Sequence, residues 1–113
     1  MFGVPISIKD TLDMKGLSSS IGITHRAFDL KEKDGVVISA MKQGGLVPFV
    51  KSNVPQLAMI FDSYNYLWGR GKNPWNEERS IGGSSGGEGA LVAARCSPLG
   101  VGSDVGGSIR IPA

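Results

Sequence analysis

The chain has 113 residues, of which 41% are hydrophobic and 19% charged, with a formal net charge of +2. This length allows one small domain at most, and no apolar run approaches the length that spans a bilayer. The charge is too small, and the lysines and arginines are too dispersed, to indicate a nucleic-acid partner.

The first predicted element is a strand over residues 4–9, in which apolar and other side chains alternate. Such alternation is typical of a half-buried strand, and Pro5 indicates either a strand start or a position at a sheet edge. Lys9 and Asp10 would then lie at the carboxyl end of the strand, where α/β proteins often place functional groups. Taken alone, a lysine at such a position is more often a solvated surface residue.

A helix is predicted next, over residues 36–43, with Asp34 as its cap and a glycine pair at its end. Apolar spacing predicts four residues on its inner face: Val36, Val37, Ala40 and Met41. The apolar run at residues 46–50 predicts a second strand, which is buried. A strand, a helix and a strand at this spacing indicate a βαβ unit, and therefore parallel strands in an α/β fold.

The middle of the chain gives weaker signals. The only histidine, His25, falls in a polar, irregular stretch and is expected in solvent. Pro55 is well placed to begin a helix through residue 61. Residues 62–80 contain tyrosines and tryptophans without a clear period, so we expect an ordered loop packed by its own aromatic side chains.

Two clusters rich in glycine and serine dominate the last third of the chain: GGSSGGEG at residues 82–89 and GGSIR at residues 106–110. A flexible linker is the plain alternative, but linkers rarely contain an apolar segment such as residues 90–94. Glycine backbone can approach a reacting group closely and can hold a serine hydroxyl beside converging N–H groups. The two clusters therefore predict a built site.

Two further elements and the single cysteine lie between the clusters. A helix is predicted over residues 88–95, ended by Pro98, and a short buried strand over residues 99–104. Cys96 has no partner for an internal disulfide, and we expect it to be a buried structural thiol. One histidine and one cysteine far apart do not have metal-ligand spacing, so neither a metal nor another cofactor is predicted.

Motif comparison excludes phosphate-loop and dinucleotide sites and keeps a serine nucleophile as a candidate. GxxxxGK[ST] and GxGxxG are both absent, whereas GxSxG occurs twice, centred on Ser84 and on Ser85. A Ser-His-Asp hydrolase of the α/β type needs its histidine downstream, and the chain has none there. A lysine can serve as the base if its pKa falls. Four lysines remain candidates on pattern alone: Lys9, Lys42, Lys51 and Lys72.

Five segments in order resemble the amidase signature family, and together they span essentially the whole chain: GVPISIKD (3–10), NVPQ (53–56), NPW (73–75), GGSSGGEGAL (82–91) and SPLGVGSDVGGSIRIPA (97–113). The resemblance implies an α/β fold with a mixed, largely parallel sheet flanked by helices. Residues 1–113 would form part of that domain, from the lysine strand to just past the nucleophile loop. NVPQ and Glu88 look most similar to fatty acid amide hydrolases.

The resemblance implies a Ser-Ser-Lys triad that hydrolyses amides. Carried over by motif, Ser108 is the nucleophile, Ser84 the bridging serine and Lys9 the base. An oxyanion hole is implied at the backbone N–H groups of Val105, Gly106, Gly107 and Ser108. Supporting roles are implied for Gly83, in a cis peptide before Ser84, and for Ser85, Asp104 and Arg110.

Three functions follow as alternatives from this resemblance. The first is a serine amidase acting on small-molecule acyl amides, such as fatty acid amides. The second is a glutaminase like the glutamine-hydrolysing chain of glutamyl-tRNA(Gln) amidotransferase, and the third is a truncated, non-catalytic product. The abrupt end after the second glycine cluster predicts a fragment with uncovered apolar edges. We expect an intracellular protein, cytoplasmic or peripheral on an internal membrane, with its oligomeric state and membrane contact left open.

Overall fold

A computed structural model describes residues 1–113 and has a three-stranded parallel sheet at its centre, in the order β2-β1-β5. Its elements are β1 (Pro5–Lys9), α1 (Val36–Gln43), β2 (Val47–Ser52), β3 (Tyr64–Asn65), β4 (Gly69–Arg70), α2 (Gly86–Ala93) and β5 (Gly100–Val101). Two single-turn 3-10 helices lie at Thr24–Arg26 and Gln56–Ala58. None of the helices combines the length and the apolar composition that a membrane span requires. The predicted α/β class and the parallel pairing of the first two strands are confirmed.

Strand β1 lies at the centre of the sheet, with Pro5 as its first residue. It is buried from Ile6 to Lys9, so the prediction of a half-buried strand was wrong. Strand β1 is buried because other elements cover both of its faces. Ile6 and Ile8 pack with Ile38 of α1 in the hydrophobic core, whereas the alternate residues of β1 face α2.

Helix α1 has the predicted bounds but a different inner face. Ile38 is fully buried and Met41 packs partly against the core, whereas Val36 is 87% exposed. Asp34 does not cap the helix, because its carboxylate binds the Lys42 ammonium at 2.8 Å and the Lys15 N–H at 2.8 Å. The spacing of apolar residues in this short helix therefore did not predict which of its faces packs against the core.

The region between β2 and α2 differs most from the prediction. Strand β2 is half exposed at Val47 and Phe49, because it lies at the edge of the sheet. The helix expected after Pro55 is a single 3-10 turn in which Leu57 has a positive φ of 60°. Residues 62–80 include the β3–β4 hairpin, organised by the buried Asn65 side chain. All four aromatic residues of this segment are exposed, so the prediction of a loop packed by its own aromatic side chains was wrong.

The segment around α2 also shifts relative to the prediction. The helix begins at Gly86, because glycines in its first turn let it lie directly against β2; a Cβ on Gly87 would lie 2.5 Å from the Asn53 carbonyl oxygen. Strand β5 has only two residues, both half-buried. Cys96 is exposed, so the expectation of a buried thiol was wrong.

Candidate active site

The centre of the candidate site is a buried lysine–serine pair. Lys9 ends β1 and is 1% exposed, and its Nζ lies 2.8 Å from the Ser84 Oγ. The same Nζ donates to the Ser103 carbonyl oxygen at 3.1 Å and contacts the Ser103 Oγ at 2.9 Å. Every polar contact of the amine is therefore made inside the protein, away from bulk water.

Burial lowers the pKa of Lys9 below its ordinary value of 10.5, because the ammonium loses its hydration. The carboxylates of Asp104 and Glu88 act in the opposite direction and favour the charged amine. Desolvation is the larger effect, so a neutral Lys9 is accessible at lower pH than for a lysine in water.

Glycine-rich backbone places Ser84 beside the lysine. The Gly83–Ser84 peptide bond is cis, as the resemblance implied, and the Ser84 side chain is 1% exposed. A side chain on Gly83 would collide with the backbone carbonyl of Asp62. The next residue, Ser85, is the N-cap of α2, and its hydroxyl donates to the Ser103 carbonyl oxygen at 3.1 Å.

Ser108 lies on the second glycine-rich loop, which is joined to the first through the backbone. Its carbonyl oxygen accepts a hydrogen bond from the Ser85 N–H at 3.0 Å, and the residue is half-buried. The Ser108 hydroxyl makes no hydrogen bond with Ser84 or with any other group in the chain. The structure thus brings Lys9 and Ser84 together and leaves the Ser84–Ser108 link as a prediction.

Asp104 organises the loop that carries Ser108. Its carboxylate accepts the N–H groups of Gly107 and Ile109, each at 2.8 Å, and pairs with the Arg110 guanidinium at 2.8 Å. Hydrogen bonds, first from Arg110 and then from the Ile109 N–H, hold the pKa of Asp104 well below its ordinary value. The loop is therefore closed around an ionised carboxylate.

The four N–H groups expected in the oxyanion hole are not equivalent. The Gly107 N–H is directed at Asp104, whereas those of Val105, Gly106 and Ser108 have no acceptor within the chain. Val105 and Gly106 are exposed. Three of the four N–H groups therefore have no acceptor within the chain, and the oxyanion hole itself stays a prediction.

Sequence reasoning missed Ser103, which makes two of the three polar contacts of the Lys9 amine. A signal was present, because Ser103 lies just after β5, and the carboxyl ends of parallel strands meet at one edge of a sheet. Two further observations do not involve the lysine–serine pair. No group of three His, Cys, Asp or Glu side chains could hold a metal ion. A cavity of about 620 Å³ beside α2 is not lined by Lys9, Ser84 or Ser108.

A parallel sheet with a buried lysine–serine pair at its carboxyl edge and two glycine-rich loops beside it defines the general class: an α/β protein with a serine-centred site. Residues 1–113 match the model of the Amidase family, and the chain belongs to that family.

Similarity to individual proteins agrees with the family. The chain is 49% identical over 112 residues to fatty-acid amide hydrolase 1 of Sus scrofa, covering 99% of this chain and 19% of that protein. A solved fatty acid amide hydrolase superposes with a TM-score of 0.94 at 42% identity, with 99% of this chain and 20% of that chain covered.

A solved chain of the glutamyl-tRNA(Gln) amidotransferase of Thermotoga maritima superposes with a TM-score of 0.93 at 34% identity, with 98% of this chain and 25% of that chain covered. The chain spans between about a fifth and a quarter of the length of the curated relatives it matches.

Proposed function

We propose that the full-length protein, of which residues 1–113 form part of an amidase signature domain, is a serine hydrolase that cleaves carboxylic amide bonds. The observation that carries the proposal is the 2.8 Å contact between the Lys9 Nζ and the Ser84 Oγ, with both side chains 1% exposed. A buried amine of lowered pKa in contact with a serine hydroxyl is a general base joined to a proton carrier.

The contacts of Lys9 suit an amine that accepts a proton. A neutral amine has two N–H bonds and one lone pair. Ser103 offers two oxygens at 3.1 and 2.9 Å, which leaves the lone pair for the Ser84 hydroxyl. Burial supplies the thermodynamic condition, because it lowers the pKa of Lys9.

The proposed reaction begins when the Ser108 Oγ attacks the amide carbonyl carbon. Its proton passes to the Ser84 oxygen as the Ser84 proton passes to Lys9, so that a tetrahedral oxyanion forms. The carbon–nitrogen bond then breaks, and the same relay returns a proton to the leaving amine. Water attacks the resulting ester by the same route, which releases the acid and restores Ser108.

The loop around Asp104 supports oxyanion binding in this scheme. The free N–H groups of Val105, Gly106 and Ser108 are the proposed donors, and Gly107 joins them only if its N–H leaves Asp104. Loss of one oxyanion-hole donor typically costs about 3 kcal/mol of transition-state stabilisation. The Ser108 hydroxyl also has to come within hydrogen-bond reach of Ser84, and such contacts often tighten only when substrate binds.

Fatty acid amides or other acyl amides are the proposed substrates. The support is the higher identity to the solved fatty acid amide hydrolase, 42%, than to the solved Thermotoga maritima amidotransferase chain, 34%. An intracellular location, cytoplasmic or peripheral on an internal membrane, belongs to the same proposal and rests on the resemblance alone.

The test compares the full-length wild-type protein with its Ser108→Ala variant on a long-chain primary acyl amide and on glutamine. We expect hydrolysis of the acyl amide and its loss in S108A. Preference for glutamine would favour the glutaminase alternative. Undiminished turnover in S108A, or no turnover of either amide by the wild-type protein, would refute the proposed function.

A further inference from the structure

Glu88 is a buried acidic side chain for which the proposed reaction has no role. It lies in the first turn of α2 and is 5% exposed. Its Oε2 accepts a hydrogen bond from the Ser7 hydroxyl at 2.6 Å, whereas its Oε1 is buried without a hydrogen-bond partner. Burial of an acidic group with one oxygen unsatisfied is costly, so its presence beside the site requires an explanation.

The Ser7–Glu88 hydrogen bond lies beside the Lys9–Ser84 contact, and the two join β1 to the first turn of α2 and to the loop directly before it. Ser7 and Lys9 are two residues apart on β1 and therefore lie on one face of the strand. Ser84 lies directly before Ser85, the N-cap of α2, and Glu88 lies in the first turn of the helix. Two links side by side fix the rotation of the helix end against the strand, which a single link would leave free.

Glu88 also interacts electrostatically with Lys9. The charged groups that act on Lys9 are Asp104, from the loop after β5, and Glu88, from α2. Lys9 is in turn the charged group that acts on Glu88, with the Ser7 and Ser52 hydroxyls beside it from β1 and β2. Strand β5 contributes no titratable side chain.

The charge state of Glu88 follows from a balance of effects. Burial raises the pKa of Glu88 above its ordinary value. The nearby hydroxyls of Ser52 and Ser7 and the Val101 N–H partly oppose this increase. The oxygen–oxygen distance of 2.6 Å to Ser7 lies within the range of about 2.5–2.7 Å for a hydroxyl that donates to an ionised carboxylate. The N-terminal end of α2 also favours a negative charge.

We propose that Glu88 is a positioning residue, which holds the end of α2 on β1 through Ser7 and presents its carboxylate to the Lys9 amine. This inference rests on the proposed function, since it assigns Glu88 to the support of the Lys9–Ser84 pair. Without the carboxylate, Ser84 loses its alignment on Lys9, and the amine becomes neutral at lower pH.

The test is the pH profile of kcat/KM for the full-length protein and its Glu88→Gln variant. Glutamine keeps the shape and can accept the Ser7 hydrogen bond, but it carries no charge. We expect the acidic limb, where Lys9 loses its proton, to move to lower pH by roughly half a unit or more. We also expect kcat to fall about tenfold with KM changed less than about twofold. A purely structural role would not move the limb.

Three further variants make the result decisive. Glu32→Gln is the matched control, because Glu32 is exposed and forms no ion pair, and its profile should coincide with the wild type. Ser7→Ala keeps the carboxyl but removes its donor. It should therefore move the limb in the same direction as E88Q but less, and it decides the question if E88Q does not fold.

The inference is overturned if the acidic limb of kcat/KM lies at the same pH in E88Q and S7A as in E32Q. If S108A, the third variant, is inactive in the same assay, the proposed function survives that result. Full activity of S108A refutes the triad and the role of Glu88 together.

Discussion

At the scale of single residues, the site depends on a lysine whose ordinary chemistry the fold reverses. A solvated lysine keeps its proton at neutral pH, whereas burial at the end of β1 lowers the pKa of Lys9. Ser103 and Ser84 together make the polar contacts with the amine that water would otherwise make. The cost of burying the ammonium therefore favours a neutral amine, which can accept a proton, beside a serine hydroxyl.

The first prediction concerns the pH dependence of activity. Only neutral Lys9 can accept a proton, so kcat/KM should fall as the pH decreases through the pKa of Lys9. Because that pKa is lowered, the fall should lie below the range of an ordinary lysine, near 10.5. A profile between about pH 5 and pH 10 measures it.

Lys9→Met in the same protein should lower kcat by on the order of 10²–10⁴-fold at neutral pH and remove the acidic limb. Lys33→Met is the control, since Lys33 is exposed and forms no ion pair, and it should match the wild type. A K9M variant with an unchanged limb would show that another group supplies the base.

At the scale of elements, the second glycine-rich loop is held mainly by the hydrogen bonds that Asp104 accepts from its backbone, and less by the ion pair between Asp104 and Arg110. The Arg110 side chain is 73% exposed, whereas Asp104 also accepts three backbone N–H groups of the loop, those of Gly107, Ile109 and Arg110. The two partners of this ion pair therefore differ in importance.

Asp104→Ala should lower kcat/KM by roughly 100-fold or more, because the loop that presents the oxyanion donors loses its centre. Arg110→Ala removes a guanidinium that is 73% exposed but leaves the backbone N–H groups on Asp104, and it should change kcat/KM by less than about fivefold. Steady-state kinetics on the two variants measures both. Equal losses in D104A and R110A would contradict this account of the loop.

A buried ion pair fastens β2 to the end of β1. The Lys51 Nζ lies 3.0 Å from the Asp10 Oδ1, and the two side chains are only 9% and 10% exposed. Lys51→Met leaves the Asp10 carboxylate buried without its partner, so the free energy of unfolding should fall by about 3–5 kcal/mol.

Urea unfolding of the variants measures that loss. Lys72→Met removes a lysine whose side chain is 69% exposed and whose partner, Glu77, is 70% exposed. It should change the free energy of unfolding by less than about 1 kcal/mol. Similar values for K51M and K72M would mean that the buried pair does not hold the strands.

The elements themselves were predictable to different degrees. Strand β1 and helix α1 were found with nearly correct bounds, because local alternation and glycine punctuation mark them. The sequence did not predict how deeply β1 is buried or which face of α1 packs against the core. The full burial of β1 and the inward orientation of Ile38 depend on cover by helices distant in sequence, which no local pattern records.

The site divides in the same way. Spacing left four lysines open, and only the family resemblance selected Lys9. The structure then brought Lys9 to Ser84, two residues far apart in the sequence. Ser103 and the Ser7–Glu88 link were missed because each depends on which strand or helix lies beside β1, not on a motif.

At the scale of the whole molecule, a small core supports a polar site. Four hydrophobic residues form the buried cluster, and many other apolar side chains are exposed, among them Phe2, Phe28 and Met59. The sequence led us to expect uncovered apolar edges, and β2 is one such edge, with Phe49 half exposed. Order at the site thus comes from hydrogen bonds and close glycine contacts more than from apolar packing.

The most direct test of the account is covalent labelling of the full-length protein with a fluorophosphonate, which reacts with an activated serine hydroxyl, followed by peptide mass spectrometry. The account predicts a single adduct on Ser108 that is absent in S108A and forms much more slowly in K9M. An adduct on Ser84, or undiminished labelling of S108A, would contradict it.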